Sequence, residues 1–207
     1  LALLAVVPLS YLVILVLLYV RQDQMVFLPS RDNVEELDDL AAAQGFQPWR
    51  NERGDRIGWV SDFGDPAKPL LICHGNAGYA LHRAHYRNFL KSQGSRMKVY
   101  LLEYPGYGAR PGAPSEVSTV AAATEAFDLL GSQAPAVTLL GESLGSGVAS
   151  AVAAERADRV AGLVLVTPYN SLTHAAEAHY PWLPIRWLLR TRFDSAERLR
   201  SYPGPVA

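Results

Sequence analysis

Five residues carry the clearest chemical pattern in the chain. Gly141-Glu142-Ser143-Leu144-Gly145 fits G-x-S-x-G, the signature of a nucleophile elbow. Ala136 to Leu140 is a short apolar run of strand type, and Ser146 to Arg156, rich in Ala and Ser, reads as helix. A strand, a sharp turn and a helix are the context that lifts a serine hydroxyl clear of the backbone. The apex residue of such a turn is held in a strained conformation. Side chains at Gly141 and Gly145 would collide with the neighbouring strand and helix. The following helix aims its free N–H groups and dipole at the site, which favours an anion there. The chemistry implied is attack by a hydroxyl on an acyl carbon. The competing reading of the same residues is a glycine-rich strand-to-helix turn with an incidental serine.

A second stretch supplies what such an attack needs. Pro69 to Cys73 is a continuous apolar run of buried-strand type, and it ends in His74-Gly75-Asn76-Ala77-Gly78. A turn there can aim backbone N–H groups at the elbow. The N–H of Asn76, beside Gly75, then pairs with the N–H of Leu144 as an oxyanion hole. Losing one such donor typically costs about 2.7–4 kcal/mol of transition-state stabilisation. An ordinary glycine-rich loop is the plainer reading of this stretch alone.

A serine also needs a base. In this kind of site the base follows the serine in the order acid, then histidine. The histidines after Ser143 are His174 and His179, and the acids nearby are Glu177, Asp194 and Glu197. No acid lies between the strand Val160–Val166 and His174, and His174 falls where a lid should begin. Both histidines are therefore read as structural or lid residues. The catalytic acid and histidine are expected beyond Ala207. The chain opens on Leu and its last segment, Tyr202 to Ala207, stops as an apolar run begins, so it reads as part of a longer protein, inactive as it stands.

Other reactive side chains carry less. His82 and His85 lie three apart on an expected helix, Tyr79 to Lys91, but lack partners at metal-ligand spacing. Cys73, the one cysteine, excludes an intrachain disulfide and reads as a small buried hydrophobe. Acidic residues in the helix expected over Asn33 to Gln44 read as a solvated face. Glu103-Tyr104-Pro105-Gly106-Tyr107-Gly108 reads as a structural turn with aromatic packing. No metal or organic cofactor is implied, and a formal net charge of -1 gives no electrostatic reason for nucleic acid.

The elements that must position these residues follow from periodicity. With 207 residues and 49% apolar content the chain can bury one domain. A short strand is expected over Gln24 to Pro29, an edge strand at Ile57 to Val60, and buried strands at Met97 to Leu102 and Val160 to Val166. A helix is expected from Ser115 to about Leu130. Strand–helix alternation calls for a mostly parallel sheet with helices on both faces. The His74 loop, the Tyr104 loop and Ser143 all fall at carboxyl ends of strands, where such sheets place their sites.

Leu1 to Val20 is one apolar block, interrupted at Pro8, Ser10, Tyr11 and Tyr19. Twenty helical residues rise about 30 Å, the thickness of a bilayer core. A single-pass signal anchor is expected, of either orientation, with residues 21–207 as the folded domain. A signal peptide and a buried core helix are the competing readings. Residues 167–192 break the alternation. Apolar bulk there, from Tyr180 to Leu189, mixes with Arg186, Arg190 and Arg192, which suits either a lid over an acyl pocket at a membrane interface or a helix packed on the sheet.

Taken in order, the apolar block, His74-Gly75-Asn76-Ala77-Gly78, Tyr104-Pro105-Gly106-Tyr107-Gly108, Gly141-Glu142-Ser143-Leu144-Gly145 and Arg186 to Ser195 resemble the α/β-hydrolase superfamily. The set is most similar to the membrane-anchored α/β-hydrolase domain proteins, which include lysophospholipid and monoacylglycerol lipases and protein depalmitoylases, and it also resembles serine aminopeptidase-type domains. The resemblance implies Ser143 as nucleophile and the N–H groups of Asn76 and Leu144 as the oxyanion hole. It also implies an acid after the next strand and a histidine near the C-terminus. The expected activity is hydrolysis of an ester, thioester or amide of a lipid or acylated substrate through an acyl-enzyme. The alternatives are a non-catalytic membrane scaffold on the same fold, or another enzyme class such as a haloperoxidase or acyltransferase. Oligomeric state is left open.

Overall fold

The computed structural model describes residues 2–207; Leu1, counted in the expected anchor, lies outside them. Helix α1 runs Ala2–Val26 without a break and passes through Pro8. The sequence boundary at Val20 is therefore not an element boundary, and the strand expected from Gln24 shrinks to β1, Leu28–Pro29. Propagation explains this: each residue added to an existing helix gains a hydrogen bond, so the polar Gln22-Asp23-Gln24 continues it. Only 6% of the apolar stretch Val6–Val26 is buried, which separates it from a core helix.

A six-stranded sheet forms the centre. Its strands are β2 (Phe46–Arg50), β3 (Arg56–Ser61), β4 (Asp65–Cys73), β6 (Met97–Leu102), β7 (Val137–Glu142) and β8 (Val160–Val166). Their spatial order is β2-β3-β6-β4-β7-β8. The last four run parallel; β2 and β3 are antiparallel to their neighbours. The strand at Ile57–Val60, expected at an edge, is interior: β2 covers it on one side and β6 on the other. Its five consecutive buried residues, Ile57 to Ser61, are the physical sign of that place. Residues Pro205 to Ala207 lie beside β8, where Leu163 and Val206 pair in parallel.

Period-two alternation divides the core between the two faces of the sheet. Leu71, Cys73, Leu102 and Leu139 pack with Phe127, Val148 and Val152 from α4 (Glu116–Gly131) and α5 (Leu144–Glu155). Leu70, Ile72, Val99 and Leu101 pack with Leu37 and Ala41 of α2 (Val34–Ala43) and with Leu81 and Ala84. Helices thus cover both faces, as the alternation predicts. The single helix expected over Tyr79 to Lys91 is a short 3₁₀ turn, Ala80–Arg83, followed by α3, His85–Ser92. β5 (Ala77–Gly78) pairs in parallel with β1, which ties the loop after β4 to the chain leaving α1.

After β8 come three short helices, α6 (Leu172–His179), α7 (Ile185–Leu188) and α8 (Ser195–Leu199). Phe193, fully buried, presses on Gly147 of α5, where a Cβ would stand 2.6 Å from the Phe193 Cβ.

Candidate active site

β7 delivers Ser143 at its carboxyl end, and α5 begins at the next residue. Ser143 has φ 52° and ψ −119°, a region that side chains of L-residues rarely occupy. Three contacts impose it. The Ser143 N–H donates to Val166 O at 2.9 Å, and Ser143 O accepts from the Ser146 N–H at 2.8 Å and the Ser146 hydroxyl at 2.6 Å. The glycines on either side leave no room for side chains. A Cβ at Gly141 would stand 2.5 Å from Gly145 O, and one at Gly145 only 2.0 Å from Cys73 O. Ser143 itself is half-buried, so it retains access from solvent.

The loop after β4 lies directly against this turn. A Cβ at Gly75 would be 3.5 Å from the Ser143 Cβ. The loop is braced from below by residues that the sequence reading took as turn and packing residues. The buried His74 ring places Nδ1 2.8 Å from Gly75 O, so Nδ1 carries the proton of that bond. The Gly75–Asn76 peptide thus turns its carbonyl onto the ring. Because a trans peptide sets N–H opposite C=O, the Asn76 N–H points away from the ring. Tyr107 donates its hydroxyl to Asn76 O at 2.7 Å, and Tyr104 donates to His74 O at 3.0 Å. Both tyrosines are fully buried. Leu28 N–H also donates to Asn76 O at 2.9 Å, and the Asn76 side-chain amide donates to Val26 O, the last carbonyl of α1, at 3.2 Å.

Beneath the loop, His74 Nε2 faces Glu103 Oε1 at 3.5 Å, with both side chains sealed from water. Glu103 Oε1 accepts from the Ala80 N–H at 3.0 Å. Neither His74 Nε2 nor Glu103 Oε2 has another hydrogen-bond partner among the described residues. Glu142, within the elbow, is clamped by Arg83, whose Nε donates to Oε2 at 3.2 Å and whose second nitrogen donates to Oε1 at 2.5 Å. The signal for these braces was present as Tyr104 and Tyr107 spaced three apart after Glu103. What hid it is that the loop they hold lies about thirty residues upstream.

Cys73 pairs in register with Gly141, beside the elbow. Burial pushes its thiol up to about 12, against a lowering hydrogen bond with Tyr104, so it stays a neutral thiol at physiological pH. Burial also holds the Tyr104 phenol well above its usual range, which keeps it a neutral donor.

The remaining histidines lie on other elements. His82 stacks on Tyr79 with ring centroids 4.0 Å apart, and His85 Nδ1 meets His82 O at 3.1 Å. His179 Nδ1 meets Ala175 O within α6 at 2.8 Å, and His174 is exposed on the same helix. Among the described residues, no group of three or more His, Cys, Asp or Glu side chains is placed to hold a metal ion. Asn76 and Leu144 thus flank Ser143 through Gly75 and helix α5, while His179 bonds within α6 and His174 is exposed on it.

Comparison with known proteins agrees with this architecture. Residues 68–201 match the family described as alpha/beta hydrolase fold. An uncharacterised protein of Mycobacterium tuberculosis is 34% identical over 98% of this chain and 73% of its own length. A lysophosphatidylserine lipase of Gallus gallus is 32% identical over 63% of this chain, which spans 36% of that protein. The crystal structure of an alpha-beta hydrolase from Vibrio vulnificus superposes with a TM-score of 0.59 at 20% identity, over 86% of this chain and 78% of that one. A Pyrococcus furiosus esterase gives 0.56 at 16% identity, over 87% and 75%. The parallel sheet, the turn at Ser143 and these matches together establish that the chain belongs to the α/β-hydrolase fold family.

Proposed function

We propose that the protein is a serine hydrolase that cleaves a carboxylic ester, thioester or amide of a lipid or acylated substrate. One observation carries the reading: Ser143 stands at a strained apex, accessible, with Gly75 against its side chain and the first turn of α5 behind it. Ser143 Oγ attacks the acyl carbon and forms the new C–O bond as its proton passes to a base. The N–H groups of Asn76 and Leu144 receive the developing oxyanion. The bond to the leaving group breaks as the base returns the proton to it. Water then repeats the sequence on the acyl-enzyme and releases the acid.

Two further features support a lipid or membrane-bound substrate. Helix α1 is long and apolar enough to cross a membrane, and the Gallus gallus relative acts on a lysophospholipid by name. In this reading residues 1–20 are a membrane anchor, 21–207 the hydrolase domain and 167–192 a lid-like segment.

The test is a fluorophosphonate probe applied to the protein expressed from its full gene. Labelling that vanishes in Ser143→Ala is the expected result. Absence of Ser143-dependent labelling in folded protein overturns the reading and favours a binding or scaffold role on the same fold.

A further inference from the structure

We infer that the crevice between α1 and the α6–α7 segment is a binding site for the acyl chain of a membrane lipid. The inference rests on the membrane reading above and assigns the substrate tail a place.

The crevice has a volume of about 310 Å³, within the range of small-molecule sites, and its walls are nearly all apolar. One wall is a stripe of α1 carrying Ile14, Leu18 and Met25; the other carries Ala176, Leu183 and Leu189. Tyr11 donates its hydroxyl to Trp182 O at 3.0 Å, and the Gln22 amide donates to Leu188 O at 3.2 Å. These two bonds fix the segment alongside α1 over eleven residues, a rise of about 16 Å. That is about half the hydrocarbon thickness of a bilayer. If α1 spans a membrane, the crevice lies within the apolar layer, in the leaflet next to the folded domain.

The aromatic residues of the segment fit that position. Tyr180 and Trp182, which line the crevice, and Trp187 beside it are exposed by 50%, 61% and 89%, a concentration of aromatic surface suited to a lipid boundary. Polar groups gather near the domain end of the crevice. Gln22 Oε1 accepts from the Arg190 N–H at 2.7 Å, Arg190 pairs with Asp23 at 2.9 Å, and its guanidinium lies 5.2 Å from the Tyr19 ring centroid. Apolar walls of this kind select a hydrocarbon chain over a polar ligand.

One short stretch of chain leads from a contact at the elbow to the crevice wall, although no elbow residue lines the crevice itself. Tyr169, three residues before α6, places its hydroxyl 3.4 Å from Leu144 O. α6 then runs eight residues, about 12 Å, past Ala176, which lines the crevice.

The experiment uses the full-length protein in phosphatidylcholine vesicles doped with a phosphatidylcholine that carries a diazirine near the acyl terminus. After irradiation, adducts are mapped by mass spectrometry. Adducts are expected on both crevice walls, at Leu18 or Met25 and at Ala176 or Leu183. Filling the cavity with Leu183→Trp, or from the opposite wall with Leu18→Trp, should lower the yield at Ala176 about tenfold by excluding a few methylenes. Adducts on the outer face of α1, at Leu12 and Val16, serve as the internal reference. The pattern should persist in Ser143→Ala, so loss of the hydrolase reading would leave it intact. Adducts confined to the outer face, or a yield at Ala176 indifferent to both fillings, overturn the inference and show that protein rather than lipid occupies the crevice. Absence of all adducts overturns it together with the membrane reading.

Discussion

His74 and Glu103, delivered by the ends of the adjacent strands β4 and β6, meet with Nε2 and Oε1 3.5 Å apart in a region closed to water. The same imidazole holds Gly75 O through Nδ1, so the pair fixes the peptide that carries the Asn76 N–H. Removing one partner of a buried pair leaves the other uncompensated. Glu103→Ala should therefore lower the unfolding free energy by about 3–5 kcal/mol. Glu103→Gln should cost nearly as much, because the single atom that faces Nε2 also accepts from the Ala80 N–H and an amide group there cannot serve both. Urea denaturation of both variants in detergent micelles provides the measure; a Glu103→Gln protein as stable as the parent would mean that the contact with His74 is not what matters.

Ser143 is held where only glycine is at ease. Strain of this kind costs on the order of 1–3 kcal/mol, and glycine's greater unfolded-state freedom offsets part of its release. Ser143→Gly should thus be more stable than Ser143→Ala by about 1 kcal/mol. Both should lose fluorophosphonate labelling. Thermal denaturation of the two variants side by side decides it, and an advantage for alanine would contradict the observed geometry.

Asn76 separates main-chain from side-chain roles. Asn76→Ala keeps the N–H proposed for the oxyanion and loses only the bond to Val26 O. Labelling should survive, with about 1 kcal/mol lost from stability. Tyr107→Phe removes the hydroxyl that holds Asn76 O. It should slow labelling about tenfold while costing a similar 0.5–1.5 kcal/mol. If Asn76→Ala proves the slower of the two towards the probe, the side chain rather than the backbone is at work.

Asp128 supplies a pH-dependent contribution far from the site. Its carboxyl accepts hydrogen bonds from Arg156 at 2.9 and 3.0 Å, and Arg159 reaches it at 2.6 Å. The bond from Arg156, above all, holds its pKa below the usual value. A carboxyl with a lowered folded pKa stabilises the fold fully above its unfolded value, and that stabilisation fades as pH falls through the folded one. The carboxylate is more than one-third exposed, so screening limits the gain to about 1 kcal/mol. Asp128→Asn should lose that much at pH 7 and match the parent once pH has fallen below the lowered folded pKa of Asp128. Urea midpoints across this range provide the check; a gap that stays constant with pH removes the electrostatic account.

The local pattern determined the fold class. Alternation of strand and helix, the Gly–x–Ser–x–Gly turn and the apolar N-terminal block were legible because each depends on residues close in sequence. The helix expected from Asn33 and that from Ser115 begin where their side chains cap the backbone, at Asn33 and Ser115. Pairing across the sheet was not legible in the same way. Nothing local to Ile57–Val60 shows that β2 lies outside it, so a strand expected at an edge is interior.

The braces beneath Asn76 belong to the same class. Tyr107 and Asn76 lie thirty-one residues apart, and their bond exists only because β4 and β6 pair in parallel and bring both loops to one end of the sheet. The crevice along α1 arises from contacts between residues more than 160 positions apart, such as Gln22 with Leu188. Short-range sterics and hydrogen bonding write the turn at Ser143 into five residues. The surroundings of that turn, by contrast, are fixed only when distant segments are packed together, because their contacts have no sequence period to announce them.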